Sequence, residues 1–302
     1  MNAGQAYLAI VNPAAGGGRR RKMLGPALER LRAGGVSVEV AETRGSGDAT
    51  RIAREAYGRA QRRFIAVGGD GTSYEVVNGL FPEGSAGEPP TLGFLPLGTG
   101  NSFLRDFSKR GVEHAIESLI AGRTRGCDVL RLRHRGGVIH YINLLSVGFP
   151  ADVAVLRARR FSGQGELGYV ISIFLGLARL QRRSFPVRVD GETEFDRRRC
   201  LFLTFNNSKF TGGTMMIAPK AEVNSGLIEY VRWGAIGRLG LIRCLPTLYD
   251  GTHIEHPLAE RKGVRRAEFN LDEPVDVMVD GEVLTLHCEE LDVLPGALNV
   301  VA

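Results

Sequence analysis

Cysteine is scarce in this chain. Cys127, Cys200, Cys244 and Cys288 are scattered over 302 residues. No Cys-x-x-Cys or Cys/His spacing joins them, which argues against a zinc site, and they read as reduced core thiols of a cytosolic protein. His253 and His256 stand three apart without a carboxylate to complete a metal set. Long apolar runs are also missing. Leu167 to Leu180 is the longest, interrupted by Ser172 and Arg179, and falls short of the ~20 residues that cross a bilayer. Ala6 to Val11 is too short for a secretory signal. The expected location is cytoplasmic, with any membrane contact peripheral. Lysine is rare, with only Lys22, Lys109, Lys209, Lys220 and Lys262 among 39 basic residues. Arginines cluster at Arg19–Lys22, Arg157–Arg160, Arg179–Arg183, Arg197–Arg199 and Arg261–Arg266. Coding bias is the favoured explanation for most of them, and an anionic partner (nucleotide phosphate, acidic lipid or nucleic acid) is the functional alternative. No aromatic-interleaved basic face accompanies them, so a nucleic-acid partner is not expected.

Phosphate-binding signatures of the commonest kinds are absent too. There is no Gly-x-x-x-x-Gly-Lys-Ser/Thr, and Gly98-Thr99-Gly100 meets Phe103 where a dinucleotide fingerprint needs its third glycine. Glycine itself is abundant, at 40 residues. Its most informative use is Val67-Gly68-Gly69-Asp70-Gly71-Thr72, between an apolar run, Phe64 to Val67, and a helix expected over Ser73 to Leu80. Such a turn lets backbone N–H groups approach a ligand, and the helix start adds partial positive charge, so phosphate is a natural guest. Asp70 would repel phosphate unless a cation or a donor stands between them.

The first half alternates short strands (7–11, 36–40, 64–67, 91–95) with helices, one capped by Asp48 and another over Val112–Ala121. That pattern argues for a mostly parallel, Rossmann-like α/β domain. Its glycine-rich loops follow strands, at the sheet edge where such folds bind ligands. After about Arg125 the texture becomes antiparallel: hairpins around His134–Gly137 and Asp190-Gly191, strands at 138–146, 201–206, 226–232, 264–269, 275–279 and 283–286, and helices over 152–159, 166–180 and 238–248. A β-sandwich with helical insertions is expected. Domains are placed at 1–128 and 129–289, and whether the tail 290–302 returns to the first is open.

Asn12-Pro13 with Gly16–Gly18, then Gly68–Thr72, then Pro96–Asn101 resemble the three loops of the diacylglycerol kinase catalytic domain family, which includes bacterial lipid kinases, sphingosine kinases and ceramide kinases. Asp128, Asn143-x-x-Ser146-x-Gly148, Gly168-Tyr169 and Asp280-Gly281-Glu282 extend the resemblance over nearly the whole chain. It implies an ATP-dependent kinase related to phosphofructokinases and NAD kinases, with a nucleotide-binding first domain and a lipid-substrate second domain. Carried over, Asn12, Gly16, Gly17, Gly18, Thr43, Gly69, Gly71, Thr72, Gly98, Thr99 and Asn101 bind nucleotide. Asp70 organises magnesium, and Glu282 is the general base. Diacylglycerol is the first expected acceptor, with a sphingoid base or ceramide, a soluble substrate such as NAD, or a non-catalytic regulator as alternatives. A homodimer is left open.

Glu282 has an internal rival, because Val189-Asp190-Gly191-Glu192 repeats Val279-Asp280-Gly281-Glu282. Order in the chain favours Glu282 as catalytic. Three positions depart from the family pattern. Asp48 follows Gly47 where histidine is common, and Ser102 follows Asn101 where aspartate is common. Lys220 and Asn224-Ser225 stand where acids hold an auxiliary magnesium, so that site is expected to be absent or weak. Leu167, Val170, Ile171, Phe174, Leu175 and Leu177 face either a core or an acyl-chain cleft.

Overall fold

A computed structural model describes residues 6–13, 18–81, 87–98, 101–161 and 165–302, without the side chains of 18–21, 165–167 and 169–170. Gly16, Gly17 and Thr99 lie outside the described residues, as do the side chains of Arg19–Arg21, Leu167 and Val170. The elements run β1 (Tyr7–Val11), α1 (Gly18–Ala33), β2 (Val38–Glu42), α2 (Asp48–Gly58), β3 (Arg63–Gly68), α3 (Asp70–Leu80), β4 (Thr91–Pro96), α4 (Val112–Ala121), β5 (Thr124–His134), β6 (Gly137–Tyr141), β7 (Leu144–Gly148), α5 (Phe149–Arg160), α6 (Gly165–Ala178), β8 (Val187–Val189), β9 (Cys200–Asn206), β10 (Phe210–Thr211), β11 (Met215–Met216), β12 (Ile228–Gly234), α7 (Arg238–Cys244), α8 (Thr247–Asp250), β13 (Ala259–Val264), β14 (Arg266–Phe269), β15 (Val275–Val279), β16 (Glu282–Leu286) and β17 (Cys288–Val301). They form two units, residues 1–129 with 295–302, and residues 130–294.

The first unit is α/β. Its strands pair in parallel in the order β2-β1-β3-β4-β17, the last place taken by the final residues of the chain. Phe64 to Val67 are buried on both faces, as a central parallel strand requires. Tyr7, Ala9, Val11, Leu31, Ile65 and Val67 form the core with Leu28 of α1 and Leu119 of α4. From β1 the chain steps to β2 on one side, then returns to β3 on the other. The loops after β1 and β3 therefore flank the point where strand order reverses, the place where open parallel sheets bind ligands.

The second unit is antiparallel. One sheet has the order β13-β12-β9-β7-β15-β16. Facing it, β14 pairs with β8 and with the start of β17; Phe205 of the first layer meets Phe269 of the second with ring centroids 5.4 Å apart. Its core gathers Phe149, Val153, Leu177, Phe202, Trp233 and Leu241.

Several expected elements are divided or shifted. α3 begins at Asp70, so Asp70 opens the helix instead of preceding it. Gly47, at φ 81°, occupies the cap of α2 in place of Asp48. The helix expected over 238–248 breaks at Pro246 into α7 and α8, as proline breaks the backbone ladder. Two expected strands, 138–146 and 264–269, are each cut in two, and one device cuts both. Asp280 and Asp190 each have φ 47° and are followed by a positive-φ glycine, giving a tight hairpin turn. The Asp280 carboxylate accepts the N–H groups of Ile142, Asn143 and Leu144 at 2.9–3.0 Å. Asp190 Oδ1 accepts those of Arg265 and Arg266 at 2.7 and 3.0 Å. Each aspartate thus satisfies amides where a strand is interrupted; those that Asp280 accepts are buried, where a donor must find a partner.

Candidate active site

The loop ends of β1, β2, β3 and β4 share one edge of the parallel sheet. Asn12 N–H donates to Val67 O at 3.1 Å, and Thr43 N–H to Val11 O at 2.9 Å. The glycine turn and the third loop touch backbone to backbone. Gly98 N–H donates to Gly68 O at 2.7 Å, and a Cβ at Gly98 would lie 2.2 Å from Gly69 Cα. No side chain fits there, which is the physical need for glycine in both loops. Ser102 N–H donates to Asp70 Oδ1 at 3.2 Å, and Asn101 Nδ2 donates to Gly98 O at 3.1 Å. Gly68, Asp70, Ser73, Pro96, Asn101 and Phe103 line a small pocket at this junction. Thr43 and Thr72 are buried, with Thr72 Oγ1 packed against Gly68. Gly69 is the residue before α3, Gly71 lies in its first turn and Gly18 begins α1.

Asp70 therefore presents a carboxylate in the first turn of α3, beside the third loop. The helix start favours anions, and the carboxylate supplies a hard oxygen donor for a divalent cation between protein and phosphate. No cluster of three or more metal-ligating side chains exists among the described residues. That donor set fits magnesium, which is commonly held by one or two carboxylates together with substrate phosphates and water.

Glu75 was not legible as a site residue. From α3 its carboxylate accepts Gly47 N–H at 2.8 Å and Ala49 N–H at 3.1 Å, tying the turn after Thr43 to the helix that carries Asp70. These donors lie at the start of α2, whose cap residue Gly47 has no side chain to accept them. A glutamate inside an expected helix gives no signal for a bond 26 to 28 residues away.

In the second unit, Glu282 is the first residue of β16, paired with Val279 across the Asp280-Gly281 turn, and is exposed. Asp280 is buried, and burial raises its carboxyl to about 6 against the lowering pull of three N–H donors. Glu192, the rival, is held by Lys262 Nζ at 2.8 Å. Burial likewise raises the Cys200 thiol to about 11 and that of Cys288 to about 12, leaving neither as a nucleophile. Leu177 is core, whereas Phe174 is 59% exposed.

The profile of the diacylglycerol kinase catalytic domain matches residues 6–132, and that of the YegS C-terminal NAD kinase beta sandwich-like domain matches residues 143–302. A protein named "Diacylglycerol kinase" from Mycobacterium tuberculosis is 27% identical over 97% of this chain and 94% of its own length. One named "Probable lipid kinase YegS-like" from Klebsiella pneumoniae is 30% identical over 99% of this chain and 96% of its own length. A crystal structure of a diacylglycerol kinase from Bacillus anthracis shares the fold at TM-score 0.69 and 20% identity, over 98% of this chain and 96% of that one. With both profiles matched in order and the glycine loops packed at the sheet edge, the chain belongs to the lipid kinase family built from a diacylglycerol kinase catalytic domain and a YegS-type sandwich.

Proposed function

We propose that this enzyme transfers the γ-phosphate of ATP to the hydroxyl of diacylglycerol, giving phosphatidic acid, at a membrane surface that it visits from the cytoplasm. The observation that carries the reading is the backbone contact between Gly68-Gly69 and Gly98 beside Asp70, at the sheet edge suited to phosphate. Asn12, the Gly16–Gly18 loop, Gly69, Gly71, Gly98, Thr99 and Asn101 would hold the triphosphate, with Thr43 and Thr72 supporting the turns from beneath. A magnesium ion at Asp70, shared with the phosphates, would neutralise charge on the transferring group. Glu282 takes the proton of the lipid hydroxyl as its oxygen bonds to the γ-phosphorus and the bond to ADP breaks. The four free thiols, three of them buried, agree with a cytoplasmic setting.

Labelled ATP offered with diacylglycerol, sphingosine, ceramide or NAD tests the acceptor. Phosphatidic acid is the expected product, and label in another acceptor would replace that assignment. Glu282→Gln should lower kcat by about 10²- to 10⁴-fold, the usual worth of a general base. Glu192→Gln should leave turnover unchanged, since Glu192 serves an exposed ion pair. Equal activity of the two variants would remove Glu282 from the mechanism.

A further inference from the structure

The second unit carries a surface that the phosphoryl-transfer chemistry does not use. Every large apolar side chain described as exposed there lies on α6 or between β12 and β13: Phe174, Leu239, Ile242, Tyr249 and Leu258. Leu239 is 73% exposed, while Leu241, two residues on, is 3% exposed and packs in the core. A surface helix normally turns its apolar side inward and a polar side to water. Here α7 turns Leu239 and Ile242 outward one turn apart, beside the exposed Arg238 and Arg243.

Beside that apolar edge is an open concavity lined by Arg182, Arg199 and Arg238 with Gly237, Leu239 and Gly240. No carboxylate lines it. None of the three arginines joins an ion pair among the described residues, whereas nearby Arg183, Arg198 and Arg232 are each matched to an acid. Two of the three are fixed in place. Arg182 Nε donates to Ile236 O at 3.0 Å. Arg238 donates to Leu177 O and Ala178 O, both at 3.0 Å, which ties α7 to the end of α6.

We infer that this face docks on an anionic phospholipid bilayer, with the three arginines taking a headgroup phosphate and Leu239 and Ile242 entering the interface. Unpaired guanidinium groups around an acid-free hollow complement phosphate. Exposed apolar residues flanking basic ones are the make-up of an interfacial helix. The inference rests on the proposed lipid acceptor, which presents itself in a bilayer.

The test is co-sedimentation of the full chain with vesicles of phosphatidylcholine alone or with phosphatidylglycerol. Binding should require phosphatidylglycerol and fall with salt. Arg182→Gln with Arg199→Gln should weaken it about 25-fold, at roughly fivefold per basic residue. Leu239→Ser with Ile242→Ser should weaken it at unchanged charge. Both pairs should keep wild-type turnover on a dispersed short-chain diacylglycerol, because none of these residues belongs to the catalytic site. Wild-type vesicle binding by either pair overturns the inference. So does loss of a dimer in the Leu239/Ile242 pair with vesicle binding intact, which would make the face a contact between copies. Vesicle binding without turnover on any lipid would instead refute the proposed activity and leave the docking surface standing.

Discussion

Asp280 and His140 sit in the same unit and pull its stability in opposite directions with pH. Burial lowers the His140 imidazole to about 4, helped by Arg131 and Arg133 and opposed by Asp292. An unfolded histidine binds its proton near 6.5, so between pH 6.5 and 4 the unfolded chain holds more protons at this site. His140 thus contributes stability above pH 6.5 that is lost as pH falls through about 4. Asp280 is the reverse case. Its folded carboxyl is raised to about 6, so its contribution is complete below about 3.8 and is lost as pH rises through 6. Each shift is worth about 3 kcal/mol at ~1.4 kcal/mol per pH unit, so the two slopes nearly cancel in the wild type. Urea unfolding at pH 4.5 and 6 should expose them separately. His140→Gln should become less stable as pH rises across that window, and Asp280→Asn more stable. Slopes of the same sign in the two variants would show that one of these groups is not buried as described.

At the scale of elements, the glycine loops give the sharpest prediction. Gly98→Ala must push the third loop away from Gly69, since its Cβ would stand 2.4 Å from Gly69 N as well as 2.2 Å from Gly69 Cα. The 2.7 Å bond from Gly98 N–H to Gly68 O cannot survive that shift. ATP affinity measured by calorimetry should fall at least about tenfold, or about 1.4 kcal/mol. Gly25→Ala is the control. Nothing lies within 4 Å of a Cβ at this exposed site in α1, so alanine should be neutral or stabilise by up to ~1 kcal/mol through helix propensity. Unchanged affinity in Gly98→Ala would mean that the loops do not touch when nucleotide binds. These loops were legible in the sequence because glycine records a close backbone approach at the residue itself. The breaks at Ile142-Asn143 and at Arg265 were not. Both stretches keep an apolar alternation that reads as one strand, and what interrupts them is a carboxylate 136–138 or 75–76 residues away. The Asp-Gly pairs were visible as turns; that their carboxylates also hold amides of a distant strand was not. Glu75 escaped notice for the same reason. Local pattern reports the backbone period of a segment, and it carries no record of which distant donor a side chain satisfies.

At the scale of the whole molecule, the first unit is discontinuous in sequence, and the strand that completes its sheet follows the second unit. Asn299 and Val300 pair in parallel with Thr91 and Leu92 of β4. Gly296 N–H donates to Asp128 Oδ1 at 2.8 Å, and Asn299 N–H to Pro90 O at 2.9 Å. Leu298, Val300 and Val301 are buried. At about 1.5–3 kcal/mol for each large apolar side chain removed from water, these three contribute roughly 5–9 kcal/mol, a sum comparable with the ~5–15 kcal/mol that stabilises a whole domain. Ending the chain at Leu294 would also leave β4 as an open edge, prone to pair with other chains. The truncated protein should therefore lose ATP binding and the thermal transition of its first unit, although no residue assigned to the nucleotide has been removed. Joining 295–302 to residue 129 through a flexible linker, in a chain lacking 130–294, should restore both, because the missing strand is then supplied at high local concentration. If the truncated chain bound ATP with wild-type affinity and midpoint, the closing strand would be ornamental to the nucleotide site, and the nucleotide-binding unit would be complete at residue 129.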